Sequence, residues 1–214
     1  RRQRQMCIRD RNRYNGKDVK VFQPSESNHG LTNNEINELC GDKNGRMYIR
    51  SGNDLIKLDI YTEQFTCLRQ KGVYGLFCKK DTLWVSCADG IYYYTGQGTE
   101  LTFFARVQKG FVGRALYVDK ETVWVVTRKY LVAISREDPL RQEILLTLDK
   151  GNCILGDSSG NIWVGAWNGL YRISPKRETT AYVSHSGMGE LSDNQVRCVL
   201  EDDFKHIWVG TFKG

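Results

Sequence analysis

Side chains suited to holding a small polar molecule recur in short turn-like stretches of the chain: Asn33, Asn34, Ser51, Asn53, Asp89, Arg128, Lys129, Trp167, Asn168, Asn194 and Lys213. Their amide, hydroxyl and charged groups supply donors and acceptors in several directions. Trp167 adds a flat apolar face on which a ring can stack, with packing against a neighbouring loop as its alternative use. Apparatus for making and breaking bonds is missing by comparison. The sequence holds no Gly-x-Ser-x-Gly elbow, His-Glu-x-x-His pair, phosphate loop or dinucleotide glycine pattern, and Gly96 and Gly98 sit in a turn between strands. Asp202 and Asp203 lie in another turn, without the spacing of a calcium loop. His29 and His185 precede Leu31 and Leu191 in matching loops, where they would face the rim as ligands, pH sensors or solvated residues, and His206 precedes an Ile-Trp pair. The 7 cysteines form no C-x-x-C pair and have no histidine cluster beside them, so neither a zinc site nor a full disulfide framework is expected. Most of the cysteines read as small buried residues, with Cys40, Cys78, Cys153 and Cys198 sharing one structural position. The expectation is binding, with no catalytic residue, metal or cofactor.

The elements that must position these residues are repeated. Five segments align: RMYIRSGNDLIKLD, TLWVSCADGIYYY, TVWVVTRKYLVAI, NIWVGAWNGLYRI and HIWVGTFKG, anchored on Tyr48, Trp84, Trp124, Trp163 and Trp208 at intervals of 36 to 45 residues. An apolar inner strand precedes most anchors, followed by a turn such as Asp42–Gly45 or Asp157–Gly160, where Asp caps its own backbone and Gly tolerates positive φ. A second turn, an alternating third strand and a fourth strand complete the unit, and no stretch keeps a 3.6-residue period. Four short strands per repeat of about 40 residues describe a β-propeller blade. The expected fold is therefore all-β, a propeller of about five four-stranded blades, with the anchor tryptophans packed between blades. Residues 1–16 read as a basic segment, the end of a preceding blade or a linker. Residues 17–214 carry the repeats, at about 31–68, 73–107, 111–148, 151–185 and 191–214 plus an N-terminal strand. That strand, around Lys17 to Phe22, could complete the last blade and close a five-bladed ring; otherwise the repeats belong to a larger ring with open edges.

Charge distribution bounds the partners. Six arginines against one aspartate in residues 1–13 leave the rest of the chain at a net +1 out of the total +6, so no nucleic-acid surface is expected. No apolar run reaches the roughly 18 residues of a membrane span.

The segments HGLTNNEINELCGDKNGRMYIRS and GELSDNQVRCVLEDDFKHIWVGTFKG, with NIWVGAWNGLYRI as a third copy, resemble the two-component regulator propeller repeats of hybrid two-component sensors from gut-dwelling Gram-negative bacteria. The middle repeats depart from that pattern: TLWVSCADGIYYY lacks the Gly-Thr pair, and TVWVVTRKYLVAI lacks the glycine before the third strand. The resemblance implies a periplasmic ligand-sensing region, usually two propellers and a small β-sandwich ahead of a membrane helix, a histidine kinase and a DNA-binding output region. It also implies an oligosaccharide or other small ligand, self-association as a sensor dimer, a membrane-anchored parent and no enzymatic role for this segment. A protein-interaction scaffold of propeller type is the alternative, and a propeller lyase or glycosidase a third class that would need convergent carboxylates, or a Tyr and His pair, at the central funnel.

Overall fold

The computed structural model describes residues 11–14, 19–22, 30–33, 35–184 and 191–214. They build strands and one short 3-10 turn. The first repeat is a sheet of β3 (Ile36–Gly41), β4 (Arg46–Ser51), β5 (Asp54–Asp59) and β6 (Phe65–Arg69), preceded by a hairpin of β1 (Arg11–Tyr14) and β2 (Val19–Phe22). The second is β7 (Val73–Lys79), β8 (Thr82–Cys87), β9 (Gly90–Tyr94) and β10 (Thr102–Ala105); the third is β11 (Gly113–Val118), β12 (Thr122–Thr127), β13 (Tyr130–Ser135) and β14 (Gln142–Thr147). The fourth is β15 (Cys153–Gly156), β16 (Ile162–Ala166), β17 (Gly169–Ile173) and β18 (Thr179–Tyr182), and the fifth is the pair β19 (Val196–Glu201) and β20 (Ile207–Thr211). Each sheet is antiparallel, with neighbours in chain order, as hairpin-connected blades must be.

The expectation of about five four-stranded blades is met by four complete blades and one two-stranded sheet, and the ring is not closed. The N-terminal strand does not complete the last blade. β2 pairs with β1 in a separate two-stranded sheet, from Arg11↔Phe22 to Tyr14↔Val19, and Phe22 packs on Phe65 of the first blade at a centroid distance of 5.6 Å.

The core lies between blades, because alternate residues of a strand point to opposite faces. In β12, Val123 and Val125 face the second blade in a cluster with Trp84, Ile91, Val107 and Ile134. Trp124 and Val126, one residue on, face the fourth blade with Ile162, Val164 and Ala166. Tyr48 and Leu55 meet Leu76, Leu83 and Val85 between the first two blades. With both faces covered, all six residues of β12 are buried and the strand loses the apolar–polar alternation of a one-sided sheet.

The Asp-containing turns carry a repeated device. In the fourth blade, one oxygen of Asp157 accepts the backbone N–H groups of Ser159 (3.0 Å) and Asn161 (2.8 Å), while the other accepts the indole N–H of Trp163 at 2.8 Å. Asp119 and Trp124 (2.7 Å) and Asp202 and Trp208 (2.8 Å) repeat it, and Asp42 accepts the Tyr48 hydroxyl at 3.2 Å. Gly160, at φ 84°, supplies the left-handed residue that the fourth-blade turn needs. One carboxylate thus fixes both the turn and the orientation of the anchor ring.

The cysteines divide. Cys153 and Cys198 share a position, opposite Gly165 and Gly210, whereas Cys40 pairs across to Tyr48 and Cys78 to Leu83. Burial pushes the Cys153 thiol up to about 12, so it stays protonated as a small packing group.

Candidate functional site

In an antiparallel blade, the loop entering the inner strand and the loop leaving the second strand fall at the same end of the sheet. The candidate binding residues occupy those loops in all five repeats, so one end of the assembly carries them. Two adjoining concavities open there. The larger, about 820 Å³, lies along the inner strands and includes Asn37, Glu38, Arg50, Asn53, Arg114 and Arg197. The smaller, about 470 Å³, lies between the second and third blades and shares Tyr74 and Arg114 with it. Phe111, Val112, Arg128 and Lys129 supply most of its remaining wall.

Several candidates have structural employment. Ser51 is 1% exposed; its hydroxyl donates to the Asn33 carbonyl (2.7 Å) and accepts the Asn33 N–H (3.1 Å), pinning the first loop to its blade. Asn168 accepts the Asp149 N–H at 3.1 Å and donates to the Tyr171 hydroxyl at 2.8 Å. Asn194 accepts the backbone N–H of Ser184, and Lys213 sits 3.7 Å from Asp193. Asp89 is bound by Arg69 at 2.7 Å and by the Tyr92 hydroxyl at 2.8 Å. Burial alone would raise its carboxyl, but those two donors hold it below the usual carboxylate range. Asn34, His29 and His185 lie outside the described residues. His206 is exposed and contacts Asp202 at 3.0 Å, away from both cavities.

Of the remaining candidates, three line the concavities. Asn53 lines the larger one, and Arg128 and Lys129 line the smaller. Trp167 is half-buried at the rim, with Lys150 Nζ 3.5 Å above its ring and Arg197 5.8 Å away. Its accessible stacking face is therefore contested by a cation already in place. Glu38 is the carboxylate of the larger cavity. Desolvation raises it, against the Arg50 guanidinium at 3.4 Å and the Leu76 N–H at 3.0 Å, which favour its charged form. Among the described residues that line the two cavities, Glu38 is the one carboxylate, and it is paired with Arg50. Tyr74, Phe111 and Arg114 were not singled out from sequence. Their signal was weak: Phe111 precedes an inner strand, and Arg114 is the one charged residue in an otherwise apolar β11.

Comparison with known proteins fits this geometry. Residues 190–213 match the family model described as two component regulator propeller. That match falls on the fifth repeat. No curated protein matches the chain. Among solved structures, the extracellular domain of BT3049 from B. thetaiotaomicron, described as a hybrid two component system, aligns at 18% identity and a TM-score of 0.75 over 91% of this chain and 28% of that one. The extracellular domain of BT4673 from the same organism aligns at 16% identity and a TM-score of 0.71, over 90% of this chain and 28% of its own. Virginiamycin B lyase from Staphylococcus aureus aligns at 11% identity and 0.63, covering 81% of this chain and 62% of the lyase. The shared feature is the propeller fold. The chain spans little more than a quarter of the two extracellular domains.

Proposed function

We propose that this chain is a ligand-sensing propeller segment of an extracytoplasmic sensor of the two-component type, which binds a carbohydrate and signals to a histidine kinase outside the segment. The observation that carries this is the regulator-propeller repeat at residues 190–213, set in a fold shared with extracellular domains of such systems. The concave, polar and aromatic end of the blades supports it, because ligand sites concentrate in loops held on a rigid scaffold. Signalling follows if the ligand binds one arrangement of paired sensors more tightly than another. A periplasmic location and a membrane-anchored parent belong to the same proposal. Among the described residues no helix is long and apolar enough to cross a membrane.

The test is thermal-shift screening of the chain against oligosaccharides. A sensing propeller is stabilised by a specific glycan, growing as RT ln(1 + [L]/Kd). Absence of any glycan-dependent shift would overturn the carbohydrate assignment.

One observation favours a second role in association. Leu200, Phe204, Trp208 and Phe212 of the fifth repeat are 62, 81, 62 and 63% exposed. Such a group suits protein contact, a second copy of the chain included. Light scattering separates the cases: a concentration-dependent dimer abolished by Trp208→Glu supports pairing through this sheet, and a monomer throughout argues against it.

A further inference from the structure

The cavity between the second and third blades has an unusual charge balance. Beyond residue 13 the chain carries a net charge of only +1. Yet Arg114, Arg128 and Lys129 all line a 470 Å³ concavity that includes no carboxylate among the described residues. Among the described residues none of the three makes an ion pair, whereas Arg46, Arg50 and Arg69 of the first repeat each have an acidic partner. Arg114 also borders the larger cavity, whose described lining adds Arg50, Arg197 and one carboxylate, Glu38, paired with Arg50. Unpaired cations gathered in a concave surface raise the local potential and favour an anion.

The loop presenting the cations is fixed before any ligand arrives. Thr127 Oγ1 accepts the N–H groups of Lys129 (3.3 Å) and Tyr130 (2.9 Å), and the Arg128 and Lys129 carbonyls accept Gly151 N–H (3.0 Å) and Leu148 N–H (2.6 Å). Phe111, which lines the same cavity, is held against Tyr130 at 4.8 Å between centroids, and Tyr74 lines both this cavity and the larger one. A loop backbone fixed in advance reduces the ordering cost of binding, leaving only the exposed side chains to be ordered. Aromatic rings and guanidinium and ammonium groups lining one cavity match a ligand with one flat apolar face and one acidic group.

We propose that this cavity binds an acidic sugar, its carboxylate or sulfate held by Arg114, Arg128 and Lys129 and its ring against Tyr74 and Phe111. This rests on the carbohydrate-sensing proposal above and narrows its ligand.

The experiment titrates the 214-residue chain calorimetrically with uronate di- and tetrasaccharides, sulfated monosaccharides, neutral oligosaccharides of matching linkage, and inorganic sulfate alone. Arg128→Gln with Lys129→Gln is the test variant; both side chains are exposed, so folding is retained. Lys176→Gln, exposed in the loop at the opposite end of the fourth blade, is the control. The expected result is binding of an acidic sugar, weakened roughly tenfold or more in the double variant and by added salt, and unchanged in the control. The carboxylate and sulfate arms identify the acidic group. Neutral oligosaccharides binding as well as acidic ones, with no loss in the double variant, would overturn the acidic assignment and leave the carbohydrate proposal standing. Inorganic sulfate binding as tightly as any acidic sugar would reduce the site to an anion site and overturn the sugar part. No binding by any sugar would overturn both.

Discussion

The third and fifth repeats use the same tryptophan, on the same strand, bonded to the same turn aspartate, in opposite surroundings. Trp124 is 4% exposed and packs on Ile162 and Val164 of the next blade, whereas Trp208 is 62% exposed. Their indole bonds to Asp119 and Asp202 differ by only 0.1 Å, at 2.7 and 2.8 Å. The orientation of the ring is therefore set inside each repeat, while its burial is supplied by the neighbour. Stability in such an array divides into a within-repeat part and an interface part.

The sharpest way to break this comparison is to remove the rings. Trp124→Ala empties an interface and is expected to cost about 3–5 kcal/mol, whereas Trp208→Ala should change stability by about 0.5 kcal/mol. Urea denaturation of the two variants checks both. Equal losses would mean that the exposed ring is buried in solution, by a second copy or by another part of the molecule.

Glycines at matching positions give a smaller contrast. A β-carbon at Gly165 would lie 2.5 Å from Cys153 Sγ and 2.6 Å from Val196 Cγ1 of the following repeat. At Gly210 its close contact, at 2.6 Å, is with Cys198 Sγ of its own repeat. Gly165→Ala should cost about 1–3 kcal/mol through overpacking at the interface, and Gly210→Ala less, since the Cys198 side chain is exposed and can turn aside. Thermal midpoints of the two variants report the difference.

Removing the turn acceptor comes next. Asp119→Ala strips the turn bonds and leaves the Trp124 indole N–H without its partner, for about 1–2 kcal/mol. Asp202→Ala should cost less, because water reaches Trp208. Denaturation midpoints test the ordering, and a larger loss at Asp202 would reverse it.

The smallest effect is one of pH. The Trp208 indole N–H, with help from His206, holds the Asp202 carboxyl down at about 2, against its ordinary 3.8. A depressed folded-state value means that its stabilising contribution is complete above pH 3.8 and is lost as pH falls toward 2. Following the Trp208 indole N–H resonance through that window should show the change in wild type and none in Asp202→Asn.

The fold was legible because its signals are local. The tryptophan anchors, the Asp turns and the strand-length apolar runs each fall within a dozen residues, and the spacing repeats. The pairing of the N-terminal strand was not legible, because a strand's sequence does not name its partner and the nearby β1 competes with the distant fifth blade. The candidate site was legible by position and poorly by residue. Ser51 reads as a polar loop residue yet is buried on Asn33, and Asp89 is neutralised by Arg69 from 20 positions away. The smaller cavity draws Tyr74 from the second repeat and Phe111 and Arg114 from the third, and a wall shared between repeats leaves no contiguous mark.

The claim that the blade ends form a ligand-sensing surface is tested most directly by hydrogen–deuterium exchange on the chain with and without a stabilising oligosaccharide. A sensing propeller predicts ligand-dependent protection at Tyr74, at 111–114 and at 127–129, with the fifth-repeat strands unchanged. Protection confined to β19 and β20, or none in the presence of a glycan that shifts the melting temperature, would contradict it.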